Sequence, residues 1–377
     1  MATQRILDFL ATRRPDGPCM VLDLDVVREN YRTFEKALPD SRIFYAVKAN
    51  PAPEILRLLT ALGSSFDTAS VAEIEMVLDA GASPERISYG NTIKKERDIA
   101  RAYALGVQLY AVDCVEEVEK VARAAPGSRV FCRVLTDGAG AEWPLSRKFG
   151  CAPAMAVDVL RRAKALGLDP YGVSFHVGSQ QTDLSAWDRA LEDARVVFKV
   201  LAEEGITLKM VNMGGGFPTR YLRDVPAAEA SGQAIFTALR KHYGTRLPET
   251  IIEPGRGMVG NAGVIKSEVV LVSRKADDDD VRWVYLDIGK FGGLAETMDE
   301  AIRYPLITPH DGEETAPCVV AGPTCDSADV LYEKTPYPLP ISLTVGDEIL
   351  IEGTGAYTTT YASVAFNGFE PLRAYVI

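Results

Sequence analysis

A lysine at the end of an apolar run is the first residue that could do chemistry. Lys48 closes the run Phe44-Tyr-Ala-Val-Lys48. An amine held on a strand beside apolar side chains can have its pKa lowered and become a nucleophile for an aldehyde. Considered alone, Lys48 is equally explained as a lysine that ends a strand at the rim of a domain.

Two later groups contain what an anion needs. The glycines of Gly214-Gly215-Gly216 would let backbone N–H groups approach an anion closely, although a glycine turn without a ligand is at least as common. In Glu253-Pro-Gly-Arg256, the arginine could clamp a phosphate and the glutamate could face a ring nitrogen. The same two side chains could instead form a structural ion pair.

A histidine and a serine complete the set, in Phe175-His176-Val-Gly-Ser179. His176 could stack on a heteroaromatic ring or be an ordinary hydrogen-bonded histidine. A lysine for a Schiff base, a phosphate loop with an arginine and a carboxylate for a pyridine nitrogen are together the requirements of pyridoxal 5'-phosphate. The carboxylate keeps the pyridine nitrogen protonated, so that the ring can accept the electron pair released when CO2 leaves. We therefore predict pyridoxal phosphate as the cofactor and carbanion chemistry.

The first two thirds of the chain predict a scaffold that brings such residues together. Short β-rich runs alternate there with segments of helical periodicity. The candidate strands are Ile43–Val47, Ser65–Thr68, Ile87–Gly90, Gln108–Val112, Val130–Leu135, Tyr171–Val177, Lys209–Met213 and Thr250–Glu253. Eight strand–helix repeats predict an α/β fold with a (β/α)8 TIM barrel over residues 25–260; an open doubly wound sheet is the alternative. Active sites of such barrels lie at the carboxyl ends of the strands, and the loops after strands seven and eight usually bind phosphate.

After about Arg256 the pattern changes to short strands separated by turn residues. The candidate strands are Ser267–Val272, Arg282–Leu286, Cys318–Ala321, Glu348–Glu352 and Thr358–Val364. They predict a C-terminal, mostly antiparallel β-domain of residues 1–24 plus 261–377, which the N-terminal strand Val21–Leu24 could join. Pro336, Pro338 and Pro340 exclude a helix there. The acidic run Asp277–Asp280 is interpreted as a solvated turn.

Composition excludes several classes of protein. A net charge of -11 argues against a nucleic-acid partner. No apolar stretch approaches the roughly 18 residues that a transmembrane helix needs, and the first ten residues do not form a secretory signal. The six cysteines include no CxxC pair, and three histidines are too few to suggest a zinc site. We therefore expect a cytoplasmic protein with reduced thiols, no metal and no membrane partner.

Seven short motifs along nearly the whole chain resemble those of a known family. They are Phe44-Tyr-Ala-Val-Lys48-Ala-Asn50, Phe66-Asp67-Thr-Ala-Ser70, Gly172-Val-Ser-Phe-His176-Val-Gly-Ser179, Gly214-Gly-Gly-Phe217, Glu253-Pro-Gly-Arg256, Gly322-Pro-Thr-Cys325-Asp326 and Gly355-Ala-Tyr357-Thr. The sequence resembles the ornithine/lysine/diaminopimelate decarboxylases, which are pyridoxal-phosphate enzymes of the alanine-racemase-like fold type III. That fold is a barrel plus a β-domain that takes in the N-terminal strand.

The resemblance implies a role for each matched residue. Lys48 would form the Schiff base with the cofactor, and Asp67 would lie beside the cofactor near it. His176 would stack on the cofactor ring, and Glu253 would pair with the pyridinium nitrogen. Cys325 would protonate the α-carbon after CO2 leaves. The phosphate ligands that the resemblance implies are Ser179, Gly215, Gly216, Arg256 and Tyr357.

The resemblance also implies a homodimer with shared active sites and a basic amino acid as substrate. Cys325 and Asp326 would come from the partner subunit, while Asp299 and Asp326 would hold the distal ammonium of the substrate. A carboxylate there suits a cation and would repel the second carboxylate of diaminopimelate. Diaminopimelate decarboxylases carry Cys-Glu-Ser at this place, and this chain does not.

L-Ornithine, giving putrescine for polyamine biosynthesis, is the predicted substrate, with lysine, giving cadaverine, as a second. The two differ by one methylene, which is worth only about 0.8 kcal/mol of burial, so a lysine-preferring or bifunctional enzyme is the alternative. Met298 and Phe291 depart from the animal-type ornithine decarboxylases. Three rival classes are an alanine racemase, which would need a tyrosine base and no distal carboxylates, a decarboxylase-like regulator that has lost the cofactor, and a single-barrel cofactor carrier.

Overall fold

The computed structural model describes residues 2–143 and 148–377 and divides the chain into two compact units. One unit comprises Arg28–Pro218 and Val225–Met258. The other comprises Met1–Val27, Thr219–Asp224 and Val259–Ile377. We call them the barrel unit and the sheet unit.

Short-range sequence signals explain where several helices begin and end. Pro53 and Pro153 occupy the first turns of α3 and α7, where a missing N–H loses no helical hydrogen bond. Gly63 ends α3 with φ 96°, a conformation that glycine adopts without strain. Within the described ranges, the helices are α1 (Gln4–Arg13), α2 (Leu24–Ala37), α3 (Pro53–Leu62), α4 (Val71–Asp79), α5 (Glu96–Ala104), α6 (Val115–Ala124), α7 (Pro153–Ala165), α8 (Ala186–Glu203), α9 (Ala228–Tyr243) and α10 (Arg256–Val259).

The strands fall into a barrel set and a sheet set. In chain order, and counting only residues that the structure describes, they are β1 (Cys19–Leu22), β2 (Ser41–Ala46), β3 (Ser65–Thr68), β4 (Ile87–Tyr89), β5 (Leu109–Val112), β6 (Arg129–Arg133), β7 (Ala141–Trp143), β8 (Asp169–Ser174), β9 (Ser179–Gln181), β10 (Met210–Asn212), β11 (Glu249–Ile252), β12 (Gly263–Ser273), β13 (Arg282–Leu286), β14 (Leu306–Ile307), β15 (Thr315–Ala321), β16 (Val330–Pro340), β17 (Glu348–Glu352) and β18 (Arg373–Val376).

Eight parallel strands close the barrel, in the order β10-β11-β2-β3-β4-β5-β6-β8. They correspond one to one to the eight strands predicted for the first two thirds of the chain, with small shifts at their ends. Full burial of a large apolar side chain, such as that of phenylalanine or leucine, favours folding by about 1.5–3 kcal/mol. The apolar side chains that pack together from these strands are Phe44, Leu109, Ala111, Phe131, Met210 and Ile251. The predicted (β/α)8 barrel is confirmed.

The sheet unit is built on an eight-stranded sheet. Six strands follow the path β14-β17-β12-β13-β15-β16, and β1 joins by pairing with β12 and β18. Most pairs are antiparallel, whereas β13–β15 and β1–β18 are parallel. Val21 lies opposite Val264 in the β1–β12 pair. The mostly antiparallel domain and its N-terminal strand, both predicted from the sequence, are therefore confirmed.

The proline-rich segment forms a strand at the end of this sheet path. Strand β16 runs through Pro336, Pro338 and Pro340 and pairs with β15, Pro338 lying opposite Pro317. A strand at a sheet edge tolerates proline because half of its N–H groups face away from the neighbouring strand. The prediction that these prolines exclude a helix is correct, but the strand was missed.

One predicted strand, Thr358–Val364, is wrong. Tyr357 has the left-handed φ of 56°, and a 3-10 turn follows at Thr359–Tyr361. The hydroxyl of Thr358 donates to the carbonyl oxygen of Thr354 at 2.7 Å, which favours the turn. The β-branched and aromatic composition of this segment therefore misled the prediction, because local hydrogen bonds decide its conformation.

The acidic run lies in the loop between β12 and β13, as predicted. Asp279 accepts the N–H groups of Lys275 at 3.2 Å and Ala276 at 2.7 Å, so one carboxylate of the run stabilises the turn itself.

Among the described helices, none has the length and apolar character required to cross a membrane.

Gly232 of α9 tests how closely the barrel helices pack. Alanine normally stabilises a helix relative to glycine by about 1 kcal/mol, but a β-carbon at position 232 would lie 2.5 Å from the carbonyl oxygen of Ala37. We expect Gly232→Ala to lower the free energy of unfolding by about 1–3 kcal/mol, measured by thermal and urea unfolding. Gln233→Ala, at the exposed neighbouring position, is the control and should not destabilise the protein. A stabilised Gly232→Ala variant would contradict this packing.

Candidate active site

The carboxyl ends of the barrel strands gather most of the predicted site residues. In a closed parallel barrel these ends lie on one rim, so residues far apart in sequence become neighbours. The residues brought to this rim are Lys48 in a short 3-10 turn after β2, Asp67 in β3, His176 after β8, Ser179 at the start of β9, Gly215 and Gly216 after β10, Glu253 after β11 and Arg256 at the start of α10.

The amine of Lys48 lies among acidic side chains. Burial raises the pKa of the carboxyls of Asp67, Glu73 and Glu253, and the charge of Lys48 opposes that rise in all three. Lys48 is itself an exposed residue, so a ligand can reach it. The site therefore offers an accessible amine surrounded by carboxyl groups.

Asp67 occupies space that a glycine leaves open. A β-carbon at Gly90 would overlap the Asp67 carboxyl group, so any other residue there would displace this carboxyl from its place. The hydroxyl of Ser88 donates to Asp67 Oδ1 at 3.3 Å. Burial raises the pKa of Asp67 well above its usual range, and the nearby charge of Glu253 raises it further. Asp67 and Glu253 are therefore close enough to influence each other's protonation.

Glu73 is a site residue that the sequence analysis missed. Ser70 caps α4 by accepting the N–H of Glu73 at 3.3 Å, and Glu73 Oε2 accepts the N–H of Ala69 at 2.6 Å. The arrangement resembles a capping box, except that Glu73 bonds Ala69 and not the capping residue Ser70, and its Ser-x-x-Glu spacing could have been recognised in the sequence. The electrostatic effect of Lys48 on Glu73 could not, because it depends on how β2 and β3 pair.

Glu253 is held by an asparagine on the neighbouring strand. Asn212 Nδ2 donates to Glu253 Oε1 at 2.5 Å, and Asn212 Oδ1 accepts the N–H of Gly214 at 2.9 Å. Burial raises the pKa of Glu253, while the hydrogen bond from Asn212 and the charges of Lys48 and Arg133 oppose that rise. Asn212 was not predicted as a site residue, and it fixes both the carboxylate and the start of the glycine turn.

The glycine turn is packed against backbone on both sides. A β-carbon would lie 2.6 Å from the carbonyl oxygen of Glu253 if placed on Gly215, and 2.7 Å from that of Gly178 if placed on Gly216. Gly216 also has the left-handed φ of 101°. In the part of the chain that the structure describes, the N–H groups of Gly215 and Gly216 donate to no protein acceptor. Such N–H groups in a tight turn are suited to an anion.

A buried arginine and a serine hydroxyl belong to the same group. Arg256 is only 4% exposed, and its Nε and Nη2 atoms both lie 3.3 Å from Ser179 Oγ. Arginine forms strong, directional hydrogen bonds to phosphate oxygens. Together with the glycine turn, this pair provides a cation, a hydroxyl and backbone N–H groups, which is what a phosphate group needs.

His176 is held as a neutral ring. Its Nδ1 accepts the N–H of Gly178 at 3.0 Å, so the proton of the neutral ring is on Nε2. Burial lowers the pKa of His176 well below 6.5, and the positive charges of Arg133 and Lys48 lower it further. The hydroxyl of Thr136 donates to the His176 carbonyl at 2.6 Å and fixes the backbone as well.

Arg133 is a further cation of the site, beside Lys48 and Arg256, and the sequence analysis missed it. Arg133 is the last residue of β6, so it lies at the carboxyl end of a barrel strand, as Lys48 does after β2. Burial lowers its pKa, and the carboxyls of Glu253, Asp67 and Asp113 oppose that effect. Its position at the carboxyl end of a barrel strand was a usable signal, but no family motif covers it.

The other predicted site residues belong to the sheet unit: Tyr357, Cys325, Asp326 and Asp299. Cys325 is exposed, and Asp326 Oδ1 accepts the N–H of Ala328 at 2.9 Å. Asp299 has the left-handed φ of 53°, and its Oδ1 lies 3.0 Å from Lys334 Nζ. The roles of these four residues stay predictions.

The protonation state of His176 can be measured in solution. We expect its ring to gain a proton only below pH 6.5, because burial and two cations hold the folded-state pKa well below the ordinary value of 6.5. Below about pH 6.5 the unfolded chain binds a proton here that the folded chain does not, so this residue makes stability fall as the pH falls. NMR of 15N-labelled histidine rings would show this, with His176→Gln assigning the signal. A midpoint at or above 6.5 would contradict it.

Comparison with known proteins identifies the family. Residues 24–260 match the model described as pyridoxal-dependent decarboxylase, pyridoxal binding domain. The chain is 36% identical over 369 residues to the lysine/ornithine decarboxylase of Selenomonas ruminantium, covering 97% of this chain and 91% of that protein. It is 37% identical over 381 residues to antizyme inhibitor 2 of Xenopus laevis, covering 97% and 82%. A structure of lysine/ornithine decarboxylase complexed with putrescine from Vibrio vulnificus is similar with a TM-score of 0.88 and 31% identity, covering 100% of this chain and 99% of that chain. This chain therefore belongs to the pyridoxal-dependent ornithine/lysine decarboxylase family, and its cofactor is pyridoxal phosphate.

Proposed function

We propose that this protein decarboxylates L-ornithine to putrescine and CO2, and that it accepts L-lysine as a second substrate. The observation that carries the proposal is the buried carboxylate of Glu253, held by Asn212 at 2.5 Å and acted on by the charge of Lys48. A fixed carboxylate for the pyridine nitrogen favours loss of CO2 over less demanding uses of the cofactor. The names of the relatives, lysine/ornithine decarboxylase among them, support the substrate class.

The residues at the barrel rim fit pyridoxal phosphate. The side chains of Arg256 and Ser179 and the backbone N–H groups of the tight turn at Gly215 and Gly216 suit its phosphate. The accessible amine of Lys48 suits a covalent bond to its aldehyde carbon. When bound, the cofactor supplies a ring that accepts the electron pair left behind by CO2. In the proposed site, Tyr357 adds a hydroxyl to the phosphate ligands.

Two rim residues control the charge of the ring. Glu253 holds a proton at the pyridine nitrogen, because a negative charge there favours the protonated form. His176 would lie against the ring, and its neutral state would matter there because an imidazolium would repel a protonated pyridine. Asp67 lies on the Lys48 side of the site and contributes a carboxyl group near the amine.

Two acidic residues of the sheet unit are proposed to select a basic substrate. Asp326 and Asp299 bind the distal ammonium of ornithine or lysine. Asp299 already pairs with the ammonium of Lys334, at side-chain exposures of 85% and 68%. Ion pairs this exposed contribute little to stability, so a substrate ammonium can replace Lys334 at small cost.

The proton that replaces CO2 is proposed to come from a thiol. Cys325 is exposed, so its S–H group is available to the α-carbon of a bound substrate. We propose a homodimer in which Cys325 and Asp326 of one subunit complete the site of the partner. Each subunit then supplies the cofactor ligands of one site and the proton donor of the other.

A second candidate is a non-catalytic, decarboxylase-like regulator. The similarity to antizyme inhibitor 2 favours it. The rim residues argue for the enzyme, because a protein without cofactor has no use for a buried carboxylate held by Asn212 or for Arg256 beside Ser179. The experiment below separates the two.

Substrate preference is tested by CO2 release from four amino acids in parallel. With purified protein saturated with pyridoxal phosphate, we expect the highest kcat/KM for ornithine and a value for lysine lower by no more than roughly 10- to 200-fold. Arginine and meso-diaminopimelate should be the poorest substrates. Release from only these two would overturn the roles of Asp299 and Asp326. No release from a protein that visibly binds cofactor would favour the regulator, or a racemase if the substrate is inverted.

The role of Glu253 is tested by removing its charge. Glu253→Gln should lower kcat by about 100- to 1,000-fold, the usual cost of one electrostatic contact to a reacting group, while the absorption band of the bound cofactor is retained. Glu249→Gln, the same change at the other end of β11, is the control and should leave kcat near that of the unmodified protein. A Glu253→Gln variant with full activity would show that ring protonation does not depend on this carboxylate.

A further inference from the structure

A buried carboxylate fixes the base of the turn that leads to Cys325. Asp329 accepts the N–H of Lys290 at 2.7 Å, the N–H of Thr324 at 3.1 Å and the hydroxyl of Thr324 at 2.7 Å. Its own carbonyl oxygen accepts the N–H of Gly322 at 2.8 Å. A β-carbon at Gly322 would overlap the Asp329 carboxylate, so only glycine fits. The turn is therefore fixed up to Thr324.

The next residue is held by a different side chain. The N–H of Cys325 donates to Asn367 Oδ1 at 2.7 Å, a contact between residues 42 positions apart. Asn367 has the left-handed φ of 50°. Asparagine enters this conformation more readily than most residues with a side chain. Asn367 thus combines a strained backbone with a hydrogen bond to the residue proposed as the proton donor.

The segment that carries Asn367 is itself anchored. The rings of Phe366 and Phe291 pack with their centroids 4.9 Å apart. The N–H and the hydroxyl of Ser363 both donate to the Phe291 carbonyl oxygen, each at 2.8 Å. Asn367 is therefore a fixed acceptor, and its hydrogen bond can define where the Cys325 backbone lies.

We propose that Asn367 is a positioning residue for the proton transfer from Cys325. Its hydrogen bond fixes the backbone from which the thiol projects, and so directs the proton to the α-carbon. The proposal rests on the proposed function, in which Cys325 is the proton donor. In the productive step the S–H bond breaks, a C–H bond forms at the α-carbon, and the thiolate regains a proton from solvent.

A misplaced thiol has a distinct chemical consequence. The proton can instead be added to the aldehyde-derived carbon of the cofactor. Hydrolysis of the C=N bond to the former substrate α-carbon then consumes one water. The products are then CO2, an aminoaldehyde and pyridoxamine phosphate, and the amine does not form. The ratio of aminoaldehyde to amine therefore reports where the proton is delivered, which a general loss of stability would not change.

Two substitutions separate the side chain of Asn367 from its backbone. Asn367→Gly keeps the left-handed conformation without strain but removes the acceptor. Asn367→Asp keeps an acceptor oxygen at the same place. Arg14→Gly is a matched control, because Arg14 is another left-handed residue of the sheet unit, with φ 43°, and it ends α1.

The first readout needs no catalysis. Hydrogen exchange of the Cys325 amide should be about 2- to 10-fold faster in Asn367→Gly, the range expected for loss of one hydrogen bond, and near normal in Asn367→Asp and Arg14→Gly. The second readout is the product ratio with ornithine. The aminoaldehyde fraction should rise severalfold in Asn367→Gly only, with KM unchanged because the proposed role of Asn367 is to hold the Cys325 backbone and not the substrate.

Cys325→Ala, measured in parallel, distinguishes the two levels of the argument. If Cys325→Ala keeps the normal product ratio, Cys325 is not the proton donor and the proposed function fails at this step. If Cys325→Ala raises the aminoaldehyde fraction and Asn367→Gly does not, only the positioning role of Asn367 is wrong. An equal rise in Asn367→Gly and Asn367→Asp would also overturn it, because the acceptor would then be irrelevant.

Discussion

The balance of buried charge at the carboxyl ends of the barrel strands is the constraint on which the site depends. Burial raises the pKa of Asp67, Glu73 and Glu253, and the charge of Lys48 opposes the rise at all three. Leaving a buried charge without its partner typically costs about 3–5 kcal/mol of folding free energy. Lys48, the amine proposed for the cofactor, therefore also holds the surrounding carboxyls closer to their ionised forms.

Two cations of the site also influence the protonation state of His176. Lys48 and Arg133 favour ionised carboxylates, and they also lower the pKa of His176, whose Nδ1 accepts a backbone N–H. One arrangement of charge thus favours a neutral imidazole at His176 and opposes the rise that burial causes in the pKa of Glu253. Both effects suit the proposed roles of the two residues, because a ring with a protonated nitrogen would be stabilised by a negative partner and destabilised by a second positive charge nearby.

The sequence predicted the barrel well, because its eight strands are apolar runs that end at recognisable glycines and helix starts. Residues at the carboxyl ends of these strands, such as Lys48 and Glu253, could be proposed as site residues from their motifs and their positions. Arg133 at a strand end and Glu73 in a Ser-x-x-Glu spacing carried a local signal, but their effect on the site, like that of Asn212, depends on partners from neighbouring elements and could not be assigned from the sequence. The strand predicted at Thr358–Val364 failed for a related reason: a left-handed Tyr357 and a hydroxyl hydrogen bond outweigh β propensity, and neither is visible in composition.

The backbone conformation adds a separate argument about which side chains matter. Gln180, Asp299 and Tyr357 all have positive φ, at 58°, 53° and 56°. A left-handed residue with a side chain is strained by about 1–2 kcal/mol, and glycine would remove that strain. Gln180 follows Ser179 directly, while Asp299 and Tyr357 are themselves proposed ligands. Strain of this kind persists only where the surrounding structure imposes it, and it concentrates at functional sites. Positive φ is also found at Arg14 and Ala365, for which no role is proposed, so the strain at Asp299 and Tyr357 supports a role for these two side chains only together with their proposed positions as ligands.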